Sequence, residues 1–369
     1  MNLKRARSPF IVTVPFSANV NNTEGYISFT GAYGSQNVGA GSEVVFMKPN
    51  TGLMIWNMSN LIREFILLKW VGLTSVPLLS DNSEICYFRI LRGYVQEGEF
   101  QNPISTTDYI GVDGYTSYSE FNLQEEIENF TTLSLTANKT YYGGAVPPFL
   151  EILTDQTTCD EIRITYVQTV PTNQTTIRYL YPTKSRVVRI PYSLSYFNGA
   201  YTGEVTVTIQ CFLVSVLQVS SVLTTTPIEE CKYVVYTLTY VNKLGGWDFF
   251  TFYKSSKESI SVTNTDFQVS PAYIDIDGNI DLYEPQFKTY NTNAKKKIKV
   301  NTDWIDESKN VEIEDIMLSE RMLLREANGN FTPVKIVTSS MDFKKTVNQK
   351  MINYELEFEY AYNIINDVV

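Results

Sequence analysis

The segment 231–259 constrains the fold more than any other part of the chain, because it predicts a β-hairpin whose second strand carries aromatic side chains on both faces. Side chains on a strand alternate at period two, so Trp247 and Phe249 share one face while Phe250 and Phe252 share the other. Rings of this size need cover on both sides. Either a single large domain encloses the strand, or a neighbouring subunit covers one face, and the sequence leaves both open.

The composition favours strands over helices. The 369 residues include 25 Tyr and 20 Phe, and runs of Thr, Val, Ile and Tyr recur along the chain. A formal net charge of −10 argues against a general nucleic-acid-binding surface, because such a surface needs clustered positive charge. We therefore expect a mainly β protein with no specific nucleic-acid binding.

The chain contains no histidine, which removes the commonest general base, the commonest transition-metal ligand and the usual serine or cysteine triad. We therefore predict that the protein is not an enzyme and carries no cofactor or metal. The cysteines have no CxxC spacing and lie in or near apolar strands, so buried free thiols are favoured over disulfides or metal ligands. They are Cys86, Cys159, Cys211 and Cys231.

Two charged clusters have a functional and a structural interpretation. The run 275–281 superficially suggests a calcium loop, but it fails the EF-hand pattern and an Asp-Gly hairpin is favoured. Four aspartates could supply a catalytic carboxylate pair, but each lies at a turn-like position where Asp is favoured for backbone reasons. They are Asp113, Asp275, Asp277 and Asp281. A basic cluster is interpreted as a solvent-exposed strand or loop whose charges discourage pairing with another strand. The alternative is that it contacts an acidic partner or a nucleic acid. It consists of Lys295, Lys296, Lys297 and Lys299.

Three consecutive domains are predicted. Residues 1–122 read as a β-sandwich with one short helix over 57–66, and 123–230 read as a second β-sandwich of short strands. Residues 231–369 read as an α+β domain with long antiparallel strands and one amphipathic helix. The Thr-rich stretch 220–230 is the predicted junction into this last domain.

The amphipathic helix is predicted to begin near residue 302. Trp304, Val311 and Leu318 recur one heptad apart and, with Ile316, form its apolar side. Its polar side carries Asp306, Glu307, Glu312 and Asp315. The last strand, 352–362, alternates apolar and mostly acidic residues, as expected for the wall of a sandwich or barrel.

The chain is expected to fold in a cytoplasm. Its basic start has no apolar stretch behind it, so a secretory signal is not predicted. The longest apolar run, 211–223, is interrupted by Ser and Gln and is too short to cross a bilayer.

Short motifs along most of the chain carry a resemblance to a known family. They centre on the hairpin and comprise Cys231-Lys232-Tyr233, the run 241–250 with its Gly245-Gly246-Trp247-Asp248 turn, Phe252, Lys254-Ser255, Ser8-Pro9-Phe10, 60–66, 109–115, Pro333-Val334-Lys335-Ile336 and 358–361. This set resembles structural tail or connector proteins of tailed bacteriophages of Bacteroidetes hosts, including crAss-like phages. The resemblance implies a virion protein assembled in the host cytoplasm as a homo-oligomeric ring in the tail, neck or baseplate. Other tail, portal or neck proteins would be its neighbours, and no membrane partner or catalytic residue is implied.

The first functional hypothesis is therefore a structural phage protein. Its predicted contact residues are Trp247, Phe249, Phe250, Phe252, Lys254, Lys257 and Trp304. One alternative is a carbohydrate-binding or glycan-cleaving module on the virion surface, which requires an open aromatic cleft beside a carboxylate pair. The other is a capsid or head-decorating protein.

Overall fold

The structure is a computed structural model. The residues that it describes are 2–18, 22–33, 41–68, 70, 72–73, 76–79, 84–116, 130–134, 136–142, 148–154, 159–169, 173–182, 186–194, 203–228, 230, 232–269, 274, 277–280, 283, 285–326, 328–342 and 351–365.

Apart from β6, which joins a later sheet, the N-terminal strands form one large sheet and one separate pair. In chain order the strands are β1 (Asn2–Arg5), β2 (Ile11–Val14), β3 (Asn22–Tyr33), β4 (Ser42–Pro49), β5 (Met54–Asn57), β6 (Leu78–Leu79), β7 (Cys86–Gln96), β8 (Glu99–Phe100) and β9 (Ser105–Val112). The large sheet has the order β1-β9-β7-β3-β4, with β8 paired to β7. Strands β2 and β5 pair with each other.

The helix predicted over 57–66 is confirmed as α1 (Ser59–Glu64). The side-chain oxygen of Asn57, which precedes the helix, accepts a hydrogen bond from the Ser59 N–H at 3.2 Å. This contact satisfies a backbone donor that the first helical turn leaves unpaired. Ile62 is completely buried, which fixes the helix against the sheet.

The next strands form a β-sandwich. They are β10 (Phe130–Thr132), β11 (Asn138–Tyr142), β12 (Phe149–Thr154), β13 (Glu161–Gln168), β14 (Gln174–Leu180), β15 (Arg186–Pro191), β16 (Val205–Leu213) and β17 (Val216–Ile228). One sheet has the order β10-β12-β15-β6 and the other β11-β17-β16-β13-β14. Their facing side chains, among them Ile152 and Val188 from the first and Ile164 and Val207 from the second, form one core.

The sheet that contains β12 is covered on both faces. Ile152 belongs to the sandwich core. Leu153 points the other way, into a second core that also holds Tyr87 and Ile110 of the N-terminal sheet. Two-sided burial explains why every residue of β12 is buried and why its sequence does not alternate.

The cysteine prediction was wrong for two of the four residues. Cys159 and Cys211 form a disulfide, with their Cα atoms 5.6 Å apart. Cys211 lies on β16, and Cys159 precedes β13, the antiparallel neighbour of β16. Sequence spacing does not reveal which strands pair, and the pairing brings these residues within bridging range. Cys86 is free and buried, and Cys231 lies outside the described residues.

The remaining strands build a seven-stranded sheet and a short pair. They are β18 (Tyr236–Val241), β19 (Trp247–Phe252), β20 (Lys257–Gln268), β21 (Phe287–Asn301), β22 (Ile305–Asp306), β23 (Met322–Arg325), β24 (Phe331–Ile336), β25 (Met351–Ile352) and β26 (Glu355–Tyr360). The sheet has the order β19-β18-β23-β24-β26-β21-β20, and β22 pairs with β25. A 3₁₀ turn (Glu307–Lys309) leads into the helix α2 (Asn310–Leu318).

The alternation predicted for the last strand is confirmed in β26. Leu356, Phe358 and Tyr360 are buried, and the glutamates between them are more exposed. The fold is therefore mainly β, with sandwich packing and long antiparallel strands, as the sequence predicts.

The chain forms two compact units. The first comprises Met1–Glu229, Thr239–Phe250 and Val311–Ser319, and the second comprises Glu230–Leu238, Thr251–Asn310 and Glu320–Val369. The break at Glu229 and Glu230 lies beside the boundary predicted at residue 230. The stretch 220–230, predicted as a junction, instead supplies much of β17. The boundary predicted at residue 122 lies outside the described residues.

No helix among the described residues has both the length and the apolar character needed to cross a bilayer.

Candidate functional site

The turn between β18 and β19 is organised by one asparagine. Asn242 Oδ1 accepts hydrogen bonds from the N–H groups of Leu244 at 3.0 Å and Gly246 at 3.2 Å. Its Nδ2 donates to the carbonyl oxygen of Leu133 at 2.6 Å. A buried amide that bonds both its own turn and another segment fixes the position of the turn within the first unit.

Both glycines of this turn are required by their surroundings. Gly245 has φ +88°, and a Cβ placed on it would lie 2.9–3.0 Å from backbone atoms of Asp113 and Gly114. A Cβ on Gly246 would lie 2.6 Å from the Cβ of Leu133. The Gly245-Gly246 pair therefore allows a close backbone approach that a side chain would prevent.

The four aromatic residues predicted as subunit contacts lie in the interior. Trp247, Phe249, Phe250 and Phe252 are between 1% and 6% exposed. In the first unit, for example, the ring of Phe249 lies 5.2 Å from that of Phe149. Because these rings have almost no accessible surface, they do not supply the predicted intersubunit contact, and the strand is enclosed by its own chain.

A buried charge network lies around Lys139 of β11 in the first unit. The Nζ of Lys139 lies 2.8 Å from Asp248 Oδ1 on β19 and 3.3 Å from Glu312 Oε1 on α2. All three side chains are at most 2% exposed. Burial lowers the pKa of Lys139, but the two carboxylates outweigh it, and the pKa is raised above its ordinary value.

Hydroxyl and amide groups complete this network. Ser134 Oγ and Asn242 Nδ2 each lie 3.3 Å from Asp248 Oδ2, and the Thr136 hydroxyl donates to Glu312. Buried charges are stable only when they are paired and hydrogen bonded. The Lys139 network therefore ties β11, β19 and α2 together.

A second buried group of charges lies around Arg189 of β15. Its Nε donates to Glu151 Oε1 at 2.8 Å, and its NH2 group contacts Glu84. The other oxygen of Glu151 accepts from the backbone N–H of Trp247 at 2.7 Å. Burial raises the pKa of Glu151 despite the neighbouring guanidinium. This contact holds the start of β19 on the sheet that contains β12.

A third contact joins α2 to the glycine turn. Asp315 accepts from the Tyr115 hydroxyl at 2.8 Å and from the backbone N–H of Lys243 at 2.9 Å. Burial raises the pKa of Asp315 to about 6, although both hydrogen bonds act in the opposite direction.

The predicted amphipathic helix begins at Asn310 instead of near residue 302, so Trp304, Asp306 and Glu307 precede it. Ile316 is buried as predicted, but the other predicted faces are wrong. Glu312 and Asp315, assigned to the polar side, are buried, while Val311 and Leu318, assigned to the apolar side, are exposed. The heptad spacing identified two faces, but the buried face was decided by partners distant in sequence, such as Lys139. No local signal in the helix reports those partners.

The other predicted contact residues lie at the surface. Lys254 is only partly exposed, and its Nζ forms ion pairs with Glu230 at 3.3 Å and Asp303 at 3.5 Å within the chain. Lys257 and Trp304 are exposed. An assembly role for Lys257 and Trp304 stays a prediction.

The candidate catalytic aspartates are dispersed. Asp113 is buried and pairs with Arg63 Nε at 3.2 Å. Asp277 lies on an exposed turn beside Gly278, and Asp275 and Asp281 lie outside the described residues. Within the ranges that the structure describes, no group of three or more Cys, Asp or Glu side chains could hold a metal ion.

Three of the four lysines of the basic cluster are paired within the second unit, and the fourth, Lys296, lines a cavity on the other face of β21. Lys295 Nζ lies 3.0 Å from Glu359 Oε1, and Lys297 and Lys299 pair in the same way with the other glutamates of β26. These exposed pairs cross the β21–β26 ladder and contribute little stability each. The acidic face of the last strand therefore pairs with Lys295, Lys297 and Lys299 of the same chain.

Beyond these pairs, β20 and β21 form an exposed two-stranded arm, defined here as residues 257–268 and 287–296. Every residue of β20 is exposed, as are the first six of β21. Strand β21 pairs with β26 over residues 297–301, and β20 is the edge of the sheet. The arm exposes large apolar side chains, namely Ile260, Val262, Phe267, Phe287 and Tyr290.

The second unit also contains a cavity of about 290 Å³. Its lining includes Tyr236, Tyr360 and Tyr362 together with Glu258 and Glu326. The Tyr236 hydroxyl donates to Glu258 Oε1 at 3.2 Å, and the rings of Tyr360 and Tyr362 lie 5.6 Å apart. Burial, followed by the charges of Glu326 and Glu258, raises the pKa of Tyr360.

The comparisons with known proteins give little about this site. No family model matches the chain, and no curated protein matches it. Among solved structures, the crystal structure of CBD12 from CALX1.2 is 9% identical, with a TM-score of 0.17, over 58% of this chain and 79% of that one. The crystal structure of the calcium-binding domain CBD12 of CALX1.1 is 10% identical, with a TM-score of 0.18, over 56% and 76%.

Proposed function

We propose that the protein is a structural component that assembles with copies of itself, as a ring-forming virion protein of a tailed bacteriophage. The observation that carries this proposal is the arm, whose edge strand is exposed along its whole length. An isolated two-stranded ribbon is marginally stable in water, and an exposed edge with apolar side chains is a template for pairing with another chain. The sequence resemblance supplies the tail, neck or baseplate setting.

The buried charges agree with a structural role. The side chains around Lys139 and Arg189 are at most 3% exposed, so no substrate reaches them in this conformation. Their contacts join strands and a helix that are far apart in sequence. We therefore assign them to stability and assign the partner-facing role to the arm.

The test is the native mass of the purified full chain, measured by light scattering over a range of concentrations. We expect an oligomer, and we expect the double variant Ile260→Lys/Val262→Lys to shift it toward the monomer. Val214→Lys, which changes a more exposed Val on the β16–β17 turn (79%, against 54% for Val262), is the control and should leave the mass unchanged. A wild-type chain that stays monomeric at every concentration would overturn the proposal.

Particle composition tests the virion setting. The protein should copurify with virions at the copy number of one ring. Absence from particles would remove the virion role, and a copy number comparable to that of the shell protein would favour the capsid or head-decorating alternative.

The cavity supports carbohydrate binding as a second candidate function. Small-molecule sites are concave and combine aromatic walls with a few polar groups that fix orientation. Tyr362 is 44% exposed and can stack on a sugar ring beside Glu258 and Glu326, whereas Tyr236 and Tyr360 are buried. Calorimetry with bacterial surface polysaccharides should detect binding that Tyr362→Ala weakens, and a depolymerisation assay would reveal cleavage. No heat of binding across the set would remove this candidate.

A further inference from the structure

The sequence of β20 in the arm suits pairing with β20 of a second copy of the chain. Between Lys257-Glu258 and Asp266, the seven residues 259–265 of β20 carry no charge and no proline. Edge strands that avoid pairing usually carry a charged residue or a proline at their centre. Here the lysines lie on β21, one strand away from the edge, and β21 pairs with β20 on the side opposite the open edge.

The two faces of β20 differ in polarity. Ile260 and Val262 lie opposite Lys296 and Ala294 of β21, on the face that also carries the buried Ile298. The other face of the stretch carries only Ser and Thr. Ile260 is 59% and Val262 54% exposed, so two β-branched apolar side chains stand uncovered beside the open edge.

We infer that β20 pairs antiparallel with β20 of a second copy about a twofold axis at Ser261, an inference that rests on the proposed self-assembly. A twofold axis normal to the sheet keeps the corresponding faces of both copies on the same side. A residue on the apolar face then lies opposite another residue of that face. Centring on Ser261 places Ile260 opposite Val262 of the second copy, and Val262 opposite its Ile260.

Charge selects this register among its neighbours. With Ser261 at the centre, Glu258 lies opposite Asn264, whose amide can donate to the carboxylate. Centring on Ile260 would place Glu258 opposite Val262, and centring on Val262 would place it opposite Asp266. A charge opposite an apolar residue, or two like charges face to face, destabilises a strand pair.

The resulting pair is a continuous sheet through two copies. A twofold contact closes at the dimer, so in the proposed ring it joins subunits in pairs, and a second surface completes the ring. Ser259 lies opposite Thr263, and these hydroxyl side chains occupy the polar face of the seam. Lys257, one of the predicted contact residues, lies opposite Thr265 at the end of the pair. Main-chain hydrogen bonds supply the affinity and the apolar pair supplies the register, as in other cases of strand addition.

Disulfide trapping tests the register. Opposed residues of an antiparallel pair have Cα atoms about 4.5–5.5 Å apart, within the range of a disulfide. Under mild oxidation of the full chain, Ser261→Cys should give a covalent dimer that a reductant dissolves. Ser259→Cys alone should not, whereas Ser259→Cys combined with Thr263→Cys should. The wild-type chain, which keeps Cys86 and Cys231, gives the background, and burial raises the pKa of the Cys86 thiol to about 12, so it stays unreactive.

The outcomes separate this inference from the proposed function. An oligomeric chain in which Ser261→Cys gives no dimer above the background, or in which Ser259→Cys alone crosslinks more strongly, overturns the register and leaves self-assembly standing. A wild-type chain that is monomeric by mass overturns both. A Ser261→Cys dimer together with the paired result at 259 and 263 supports the inference.

Discussion

At the scale of single residues, the first unit buries charged side chains in an interior that is otherwise mostly hydrophobic. Lys139, Asp248 and Glu312 are almost completely buried. The transfer of such groups from water costs several kcal/mol each, and only close pairing with further hydrogen bonds offsets it. Such a network is therefore strongly sensitive to the loss of one member.

Replacing the central cation should expose this sensitivity. Lys139→Met leaves Asp248 and Glu312 buried without their counter-charge, so we expect a loss of about 3–5 kcal/mol in the free energy of unfolding. Urea denaturation followed by fluorescence measures it. Lys335→Met, at an exposed position on β24, should change stability by less than about 0.5 kcal/mol. Equal effects of the two substitutions would contradict the burial and pairing described for Lys139.

Asp315 gives a pH dependence of defined sign. Its pKa is raised from 3.8 to about 6 in the folded chain, so protonation favours folding. Its contribution is complete below about pH 4 and is lost as the pH rises through 6. Each pH unit between these values corresponds to about 1.4 kcal/mol, giving at most about 3 kcal/mol.

Asp315→Asn should remove this dependence. The wild-type minus variant difference in unfolding free energy should fall between pH 4 and pH 7, as measured by denaturation at constant ionic strength. Asp342→Asn, at an exposed position, should give a difference that is flat over this range. A flat difference for Asp315→Asn as well would mean that its carboxyl is not buried against Tyr115.

At the scale of elements, the glycine turn between β18 and β19 is the point where chain geometry is most demanding. Gly245 combines a positive φ with a backbone approach to Asp113 and Gly114. Gly329, in the β23–β24 turn, has a similar φ of +86° but no atom within 4 Å of a Cβ. Gly329 therefore reports the cost of the left-handed conformation alone, and Gly245 reports that cost together with the cost of the close backbone approach.

Alanine at the two glycines should give different losses. Gly329→Ala should cost about 1–2 kcal/mol, from the left-handed conformation alone. Gly245→Ala should cost at least twice as much, because the backbone of 113–114 must also move. Chemical denaturation of both variants measures the comparison. Similar losses would contradict the docking of the turn onto residues 113–114.

The sequence predicted the periodic elements better than their surroundings. The alternation of β26 and the helix α1 follow from patterns within a few residues, and both are present. The cover over β19 and the buried face of α2 depend on Lys139, Phe149 and other residues far away in sequence. Local patterns carry no information on such partners, so the four aromatic contact residues and two acidic residues of the helix, Glu312 and Asp315, were predicted at the surface but are buried.

The candidate sites show the same limit. The basic cluster was recognised as a strand, but its partners on β26 follow from the order of strands in the sheet. The exposed edge of β20 could not be identified from sequence, because its alternation is that of any half-buried strand. Only the strand order shows that one side of it has no neighbour among the described residues.

At the scale of the whole molecule, the two surfaces with the greatest functional interest both lie in the second unit. The arm presents an edge strand without central charges, and the cavity presents tyrosines beside carboxylates. The first unit, in contrast, places its unusual residues in the interior. We therefore assign a stabilising role to the buried charge networks of the first unit and partner recognition to the arm.

Amide hydrogen exchange along β20 tests the central claim most directly, because it reports on the proposed seam without any substitution. In the full chain, the alternate amides of residues 259–265 that point away from β21 should exchange rapidly at low concentration and become protected at concentrations where the native mass shows an oligomer. Amides of the buried strand β12 should be protected at both concentrations and serve as the internal reference. An oligomer in which residues 259–265 exchange equally fast at both concentrations would contradict assembly through β20.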